Sequence, residues 1–106
     1  MKRIASKMKL RPGFETEYKK RHDELWPELE ALLLSRGIAE YSIFLDEETQ
    51  ILFAFLEVND DAELSSLAGE EIMRRWWLFM KDIMDTNADN SPVNIPLKEM
   101  FHLSGS

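Results

Sequence analysis

The order of hydropathy patterns along the 106-residue chain predicts an α+β fold. The expected topology is a ferredoxin-like β-α-β-β-α-β domain, with an antiparallel sheet and its helices on one face. Three observations carry this expectation. Stretches with the two-residue period of a half-buried strand open and close the chain, two stretches with helical spacing lie between them, and a polar turn joins two strands in the middle. One of those middle strands is apolar on both faces, so a second sheet is expected to pack face to face on the first.

Along Arg3 to Leu10, the residues Ile4, Ser6, Met8 and Leu10 alternate with Arg3, Ala5, Lys7 and Lys9, and "RPG" breaks the strand. A helical pattern then runs from near Phe14 towards Arg36, where Gly37 is placed to end it in a left-handed cap. Pro27 interrupts this helix, and a kink near Trp26 is expected because proline removes one backbone hydrogen bond and crowds the preceding turn. Glu40–Leu45 and Ile51–Val58 read as strands flanking "DEETQ". In the second of them Phe53 and Phe55 share a face opposite Leu52, Ala54 and Leu56, and another copy of the chain is the simplest cover for the outer face.

"NDDAEL" supplies an N-cap and an acidic first turn for a second helical region. Gly69 is expected to divide it into a short piece and a longer helix from Glu70 to about Asp85. "TNADNSP" reads as a loop, and "LKEMFHL" after Pro96 as the last strand. The whole forms one domain over residues 1–103, with 104–106 as a C-terminal tail; no repeat or low-complexity tract is present.

Composition narrows the function. At this length about two-thirds of the unfolded surface is buried, enough for one modest core. A hydrophobic fraction of 44% and a charged fraction of 31% are ordinary for a globular protein. The net charge of -7 repels phosphate backbones, which argues against nucleic acid as a partner. Lys19-Lys20-Arg21 and Arg74-Arg75 read as solvated helix faces paired with nearby acids. With no cysteine, disulfides, thiolate metal sites and cysteine nucleophiles are excluded. No run is long enough to span a bilayer and the basic N-terminus lacks a signal-peptide core, so no membrane partner and a cytoplasmic location are expected.

At 100° per residue, Phe14, Tyr18, His22, Leu25, Leu29 and Leu32 fall on one arc of the first helix, while Glu17, Lys19, Lys20, Asp23 and Glu24 fall outward. A tyrosine and a histidine one turn apart on the core side are either satisfied structural groups or the polar floor of a pocket. In the second helix Ile72, Trp76, Phe79 and Ile83 form one stripe and Met73, Trp77 and Met84 another. Both tryptophans belong to a broadly buried helix, or one of them lines a cavity or a subunit interface, where its flat face suits an aliphatic patch or a sugar ring and its N–H a hydroxyl.

The four glycines, at 13, 37, 69 and 105, build no phosphate or dinucleotide loop. His22 and His102 are the only histidines and have no metal-ligand spacing; His102 reads as structural or exposed. No G-x-S-x-G elbow is present. What remains is a pocket of one imidazole, phenols and indoles, suited to proton transfer on a small polar molecule with an apolar face.

The segments "EYKKRHDELWPELEALL", "YSIFLD", "LFAFLEV", "MRRWWLFMKDIM" and "NADNSP", in that order from about Lys2 to Leu103, resemble the L-rhamnose mutarotases. These are small proteins of the dimeric α+β barrel group. The resemblance implies interconversion of the α and β anomers of L-rhamnose without metal or other cofactor, and a homodimer. It implies His22 as the proton donor, and Tyr18, Tyr41, Trp76 and Trp77 as substrate-binding residues. Rival readings are a cofactor-independent monooxygenase or haem-handling protein of the same architecture, a non-catalytic sugar-binding module, or a structural dimerisation domain.

Overall fold

Alternation along strand β1 (Lys2–Lys9) decides which side of the sheet becomes the core: Ser6 and Met8 are buried, and Leu10 just beyond the strand is fully so. The computed structural model describes residues 1–105. After β1 come helix α1 (Glu15–Asp23), helix α2 (Pro27–Ser35), strand β2 (Ile38–Asp46), strand β3 (Ile51–Val58), a 3-10 helix at Leu64–Gly69, helix α3 (Glu71–Met80) and strand β4 (Ile95–Leu97). The strands form one antiparallel sheet in the order β2-β3-β1-β4, the ferredoxin-like topology.

The register sorts the side chains by face. Met8 lies opposite Leu52, Ser6 opposite Ala54 and Ile4 opposite Leu56, all towards the helices. Lys7 lies opposite Phe53 and Ala5 opposite Phe55, on the other side. The helical side carries the core: Leu10, Leu29, Leu52, Val58 and Ile83 are the largest fully buried side chains. On the outer side Phe44 is 66% exposed and Phe53 is 38%, so the two-sided apolar character of β3 leaves a bare hydrophobic face on this chain.

Three elements differ from the sequence reading. The first helical region is two helices rather than one kinked helix. Trp26 takes an extended conformation (φ -61°, ψ 129°) because the ring of Pro27 disfavours the helical region for the residue before it, and Pro27 then starts α2 at its first position, where a missing N–H costs nothing. Leu25, in the break, and Leu29 and Leu32, in α2, still face the core.

Helix α3 ends at Met80, short of Asp85. The backbone from Ile83 onward is captured by the end of β1: Arg11 N–H donates to Ile83 O at 2.9 Å, Asp85 N–H donates to Lys9 O at 3.0 Å, and Leu10 bridges Met84. Those bonds replace the next helical turn.

The last strand is Ile95–Leu97, which shares only Leu97 with the expected "LKEMFHL". With Leu97 opposite Ala5, the antiparallel register reaches the start of β1 within a few residues, and the alternation beyond has no strand left to pair with. Met100, Phe101 and Leu103 are 83%, 80% and 78% exposed. Ser104 and Gly105 of the expected tail have no regular structure, and Ser106 lies outside the described residues. No helix among the described residues is long and apolar enough to cross a membrane.

Gly37 ends α2 as expected, at φ +97° with its N–H donating to Leu34 O at 3.2 Å. A side chain there would also meet Ala62, whose Cβ lies 2.9 Å from where a new Cβ would sit. Gly37→Ala should therefore cost about 1–3 kcal/mol of unfolding free energy, from strained backbone and overpacking together. Urea denaturation would read this as a lowered midpoint at unchanged slope, and an unchanged midpoint would refute it.

Candidate active site

Helix α1 sets Tyr18 and His22 one turn apart on its core side. Their rings stack with centroids 4.3 Å apart at 30°. His22 Nδ1 lies 3.0 Å from the carbonyl oxygen of Tyr18. A carbonyl only accepts, so Nδ1 carries a proton, and in the neutral imidazole Nε2 is then the basic nitrogen. No protein group among the described residues hydrogen-bonds Nε2.

Helix α3 closes the other side. The Trp76 ring, 7% exposed, meets His22 edge-on with centroids 5.3 Å apart. Trp26 backs Trp76 at 5.1 Å, also edge-on, and Phe79 packs on both indoles. Arg21, one residue from His22, pins α1 to the end of α3: its guanidinium sits 4.3 Å above the Phe79 ring and donates to Phe79 O at 2.7 Å and to Asp82 at 2.9 Å. With its side chain 12% exposed, Arg21 is not part of a solvated face, unlike its neighbours Lys19 and Lys20.

Between these helices and the sheet lies a cavity of about 580 Å³. Tyr18, His22, Trp76 and Trp77 line its helical wall, and Tyr41, Leu56, Ile4 and Ser6 line the strand floor. Thr86, Asn90, Ser91 and Asn94 from the loop before β4 add a polar rim, and Met73, Met80 and Met84 complete an adaptable apolar wall. No Asp, Glu, Lys or Arg lines the cavity. The rim loop is held by its own bonds: Asn87 donates to Ser91 Oγ at 3.1 Å and to Pro92 O at 3.2 Å, and Asn90 turns the chain at φ +72°.

Electrostatics single out one group. Burial lowers the His22 pKa, against smaller raising effects of the Tyr18 hydrogen bond and the Asp23 charge, so the resting imidazole is neutral at pH 7. Burial raises the Tyr18 pKa far above the ordinary phenol value, with the neighbouring Tyr41 adding to it, and burial raises that of Tyr41. Tyr41 is 45% exposed as a residue and lines the cavity. Both tyrosines are neutral hydrogen-bonding groups. His22 is the one cavity side chain that changes charge near neutrality.

The structure brings all five sequence-selected residues, Tyr18, His22, Tyr41, Trp76 and Trp77, onto one cavity. His102 lies elsewhere, exposed on the chain beyond β4. Ser6, Thr86, Asn90 and Asn94 were missed. The "NADNSP" segment held the only signal for the rim, and its polarity reads equally well as a solvent turn. Among the described residues no group of three His, Cys, Asp or Glu is placed to hold a metal ion.

A family model described as L-rhamnose mutarotase matches residues 3–103 of the chain. An L-rhamnose mutarotase from Formosa agariphila is 55% identical over 97% of this chain and 99% of its own length. Proteins of the same name from Bacteroides thetaiotaomicron and Listeria monocytogenes are 53% and 54% identical, over 97% and 98% of this chain and 99% and 100% of theirs. The crystal structure of an L-rhamnose mutarotase from Formosa agariphila superposes with a TM-score of 0.91 at 55% identity, covering 98% of this chain and 100% of that one.

The lowered His22 pKa links the site to stability. Between the native pKa and the ordinary value near 6.5 the unfolded chain binds more protons than the folded one, so this contribution is fully present above about pH 6.5 and is lost as pH falls through the native pKa. Wild type should lose stability relative to His22→Gln as pH drops from 7 to 5. Parallel urea midpoints for the two proteins across that range would contradict a half-buried, neutral His22.

Proposed function

The chain belongs to the L-rhamnose mutarotase family, and from that premise we propose how it interconverts the α and β anomers of L-rhamnopyranose. The enzyme is an isomerase, an aldose mutarotase. The observation that carries the residue-level reading is the uncharged cavity with a single titratable imidazole on its wall. A neutral polyol fits such a lining better than any charged substrate, because no lining charge would compensate an ionic one. The indole faces of Trp76 and Trp77 suit the ring carbons and methyl group of a 6-deoxy sugar.

Mutarotation moves a proton from the anomeric hydroxyl to the ring oxygen. The C1–O5 bond breaks, C1 becomes an aldehyde, the C1–C2 bond rotates, and closure reverses the transfers. Neutral His22 takes a proton through Nε2, and the imidazolium it becomes donates one to the departing ring oxygen. Burial makes that imidazolium a stronger acid than a solvated one, which favours the donation. Tyr18 and Tyr41, held neutral, hydrogen-bond sugar oxygens without competing for the proton. Residue chemistry of this kind is worth about 10²- to 10⁴-fold, sufficient for a reaction that already proceeds in water.

A second copy of the chain covers the outer sheet face in this reading. Phe44, Phe53, Ile95 and Leu97 form an exposed apolar surface across all four strands but the basic β1, which contributes Lys7 at its centre. Face-to-face packing about a two-fold axis buries that surface and gives the exposed Met100, Phe101 and Leu103 a neighbour. A cytoplasmic location completes this reading, since a chain with no cysteine needs no oxidising compartment in which to form disulfides.

Saturation transfer between the two anomeric proton signals of L-rhamnose tests the reaction. Wild type should exchange them well above the buffer rate, with the rate rising through a pKa below 6.5 to a plateau at neutrality. Folded His22→Ala should lose about 10²- to 10⁴-fold. Buffer-rate exchange with wild type would sink the assignment, and full activity in the variant would remove His22 from it.

Assembly has its own measurement. Sedimentation equilibrium at micromolar concentration should give a dimer, and Phe44→Glu with Phe53→Glu should shift it to monomer with the fold retained. A wild-type monomer at that concentration counts against the packed-sheet dimer.

A further inference from the structure

We propose that Ser6 is a binding residue whose hydroxyl hydrogen-bonds one of the three secondary, non-anomeric hydroxyls of the sugar. The inference rests on the mutarotase reading above and adds a contact on the opposite wall of the same cavity.

Apart from the amphipathic Tyr18, Ser6 is the one buried polar residue among the described residues, at 5% exposure. It occupies the middle of β1, a central strand, with Ala54 opposite on one side and Pro96 on the other. Serine has no packing or strand preference to recommend it there, where a β-branched or aromatic side chain fills a core better. A local choice that opposes the fold marks a functional position more often than a structural one.

The hydroxyl has no protein partner among the described residues, and it lies on the cavity floor rather than in a sealed void. Buried hydroxyls are ordinarily hydrogen-bonded, so the missing partner is expected from whatever fills the cavity. Pro96 beside it contributes no N–H, and Ile4 and Met8, the next side chains on the same face of β1, contribute no polar atom of use to a sugar. Ser6 and Tyr41 are therefore the polar side chains of the strand floor. Proton transfer is confined to His22 on the helical wall, so the anomeric carbon and ring oxygen face that wall. The edge of the ring turned towards the strands carries secondary hydroxyls, and Ser6 meets one of them. The small side chains of Ser6 and Ala54 also lower the floor at this row, which lets the sugar sit deep enough for the contact.

Isothermal titration of wild type and Ser6→Ala with L-rhamnose, and with its 2-deoxy, 3-deoxy and 4-deoxy analogues, tests the contact. The variant should bind L-rhamnose about three- to tenfold more weakly, the value of one neutral hydrogen bond. One deoxy sugar should bind wild type and variant equally, which identifies the bonded hydroxyl. Without ligand, Ser6→Ala should melt no lower than wild type, since the hydroxyl has no partner within the fold. Equal affinity of both proteins for L-rhamnose, an equal penalty for all four sugars, or a clearly lowered melting temperature would each overturn the proposal. Unchanged affinity alongside catalysed anomer exchange would remove Ser6 alone and leave the mutarotase standing. No binding and no exchange with wild type would remove both.

Discussion

The site depends on a backbone constraint at Pro27. Its ring excludes Trp26 from the helical region, so α1 must stop at Asp23 and the chain must turn before α2 begins. His22 is thereby placed in the last turn of α1, where its own carbonyl accepts from Leu25 N–H at 3.1 Å instead of continuing a helix. The same turn swings the Trp26 indole onto Trp76, and Trp76 in turn presses its edge towards the imidazole. One proline thus sets the stack that orients the His22 imidazole.

What keeps α1 and α3 at the spacing this stack requires is more aromatic than ionic. Each ring pair is worth about 0.5–1.5 kcal/mol beyond its buried area: His22–Trp76 joins α1 to α3, Trp26–Trp76 and Trp26–Phe79 tie the start of α2 to α3, and Trp76–Phe79 stiffens α3 itself. The Arg21–Asp82 ion pair is geometrically good, but the Asp82 side chain is 62% exposed, and solvent screening leaves such a pair little net value. Arg21 matters instead through its flat contact with Phe79 and its hydrogen bond to the Phe79 carbonyl, which caps the end of α3. That placement explains why one member of a basic triplet is largely withdrawn from solvent while Lys19 and Lys20 are exposed.

Local periodicity made the sheet legible and long-range pairing made the rest illegible. Ile51–Val58 was readable because a short apolar, aromatic-rich run bounded by "DEETQ" and "NDD" has the length of a buried strand. The inward arc of α1 was readable from its helical spacing, and it named Tyr18 and His22 before any geometry was known. The end of α3 was not, because nothing in "MKDIMD" announces that Lys9 and Arg11 will capture its backbone. The last strand was misplaced because alternation reports a strand's tendency and not the existence of a partner. Ser6 was assigned correctly to the inner face, yet only the cavity beneath the helices shows that its hydroxyl has nothing in the protein to bind.

The chemistry follows from how unevenly charge is distributed. The chain carries a net charge of -7, but its acids and bases lie outside a cavity that holds phenols, indoles, amides, hydroxyls and one imidazole. An ionic ligand would have to shed water there with no counter-charge in return, whereas a sugar exchanges its water for hydrogen-bonding groups of the same kind. In the proposed mechanism the acid and the base are the same residue at successive moments. An imidazole with a lowered pKa meets that demand: neutral at rest, it accepts a proton, and the cavity that disfavours its charge then drives the proton onward. The burial that lowers the resting charge of His22 is therefore the feature that would suit it, in the proposed mechanism, to shuttle a proton between two oxygens of one molecule.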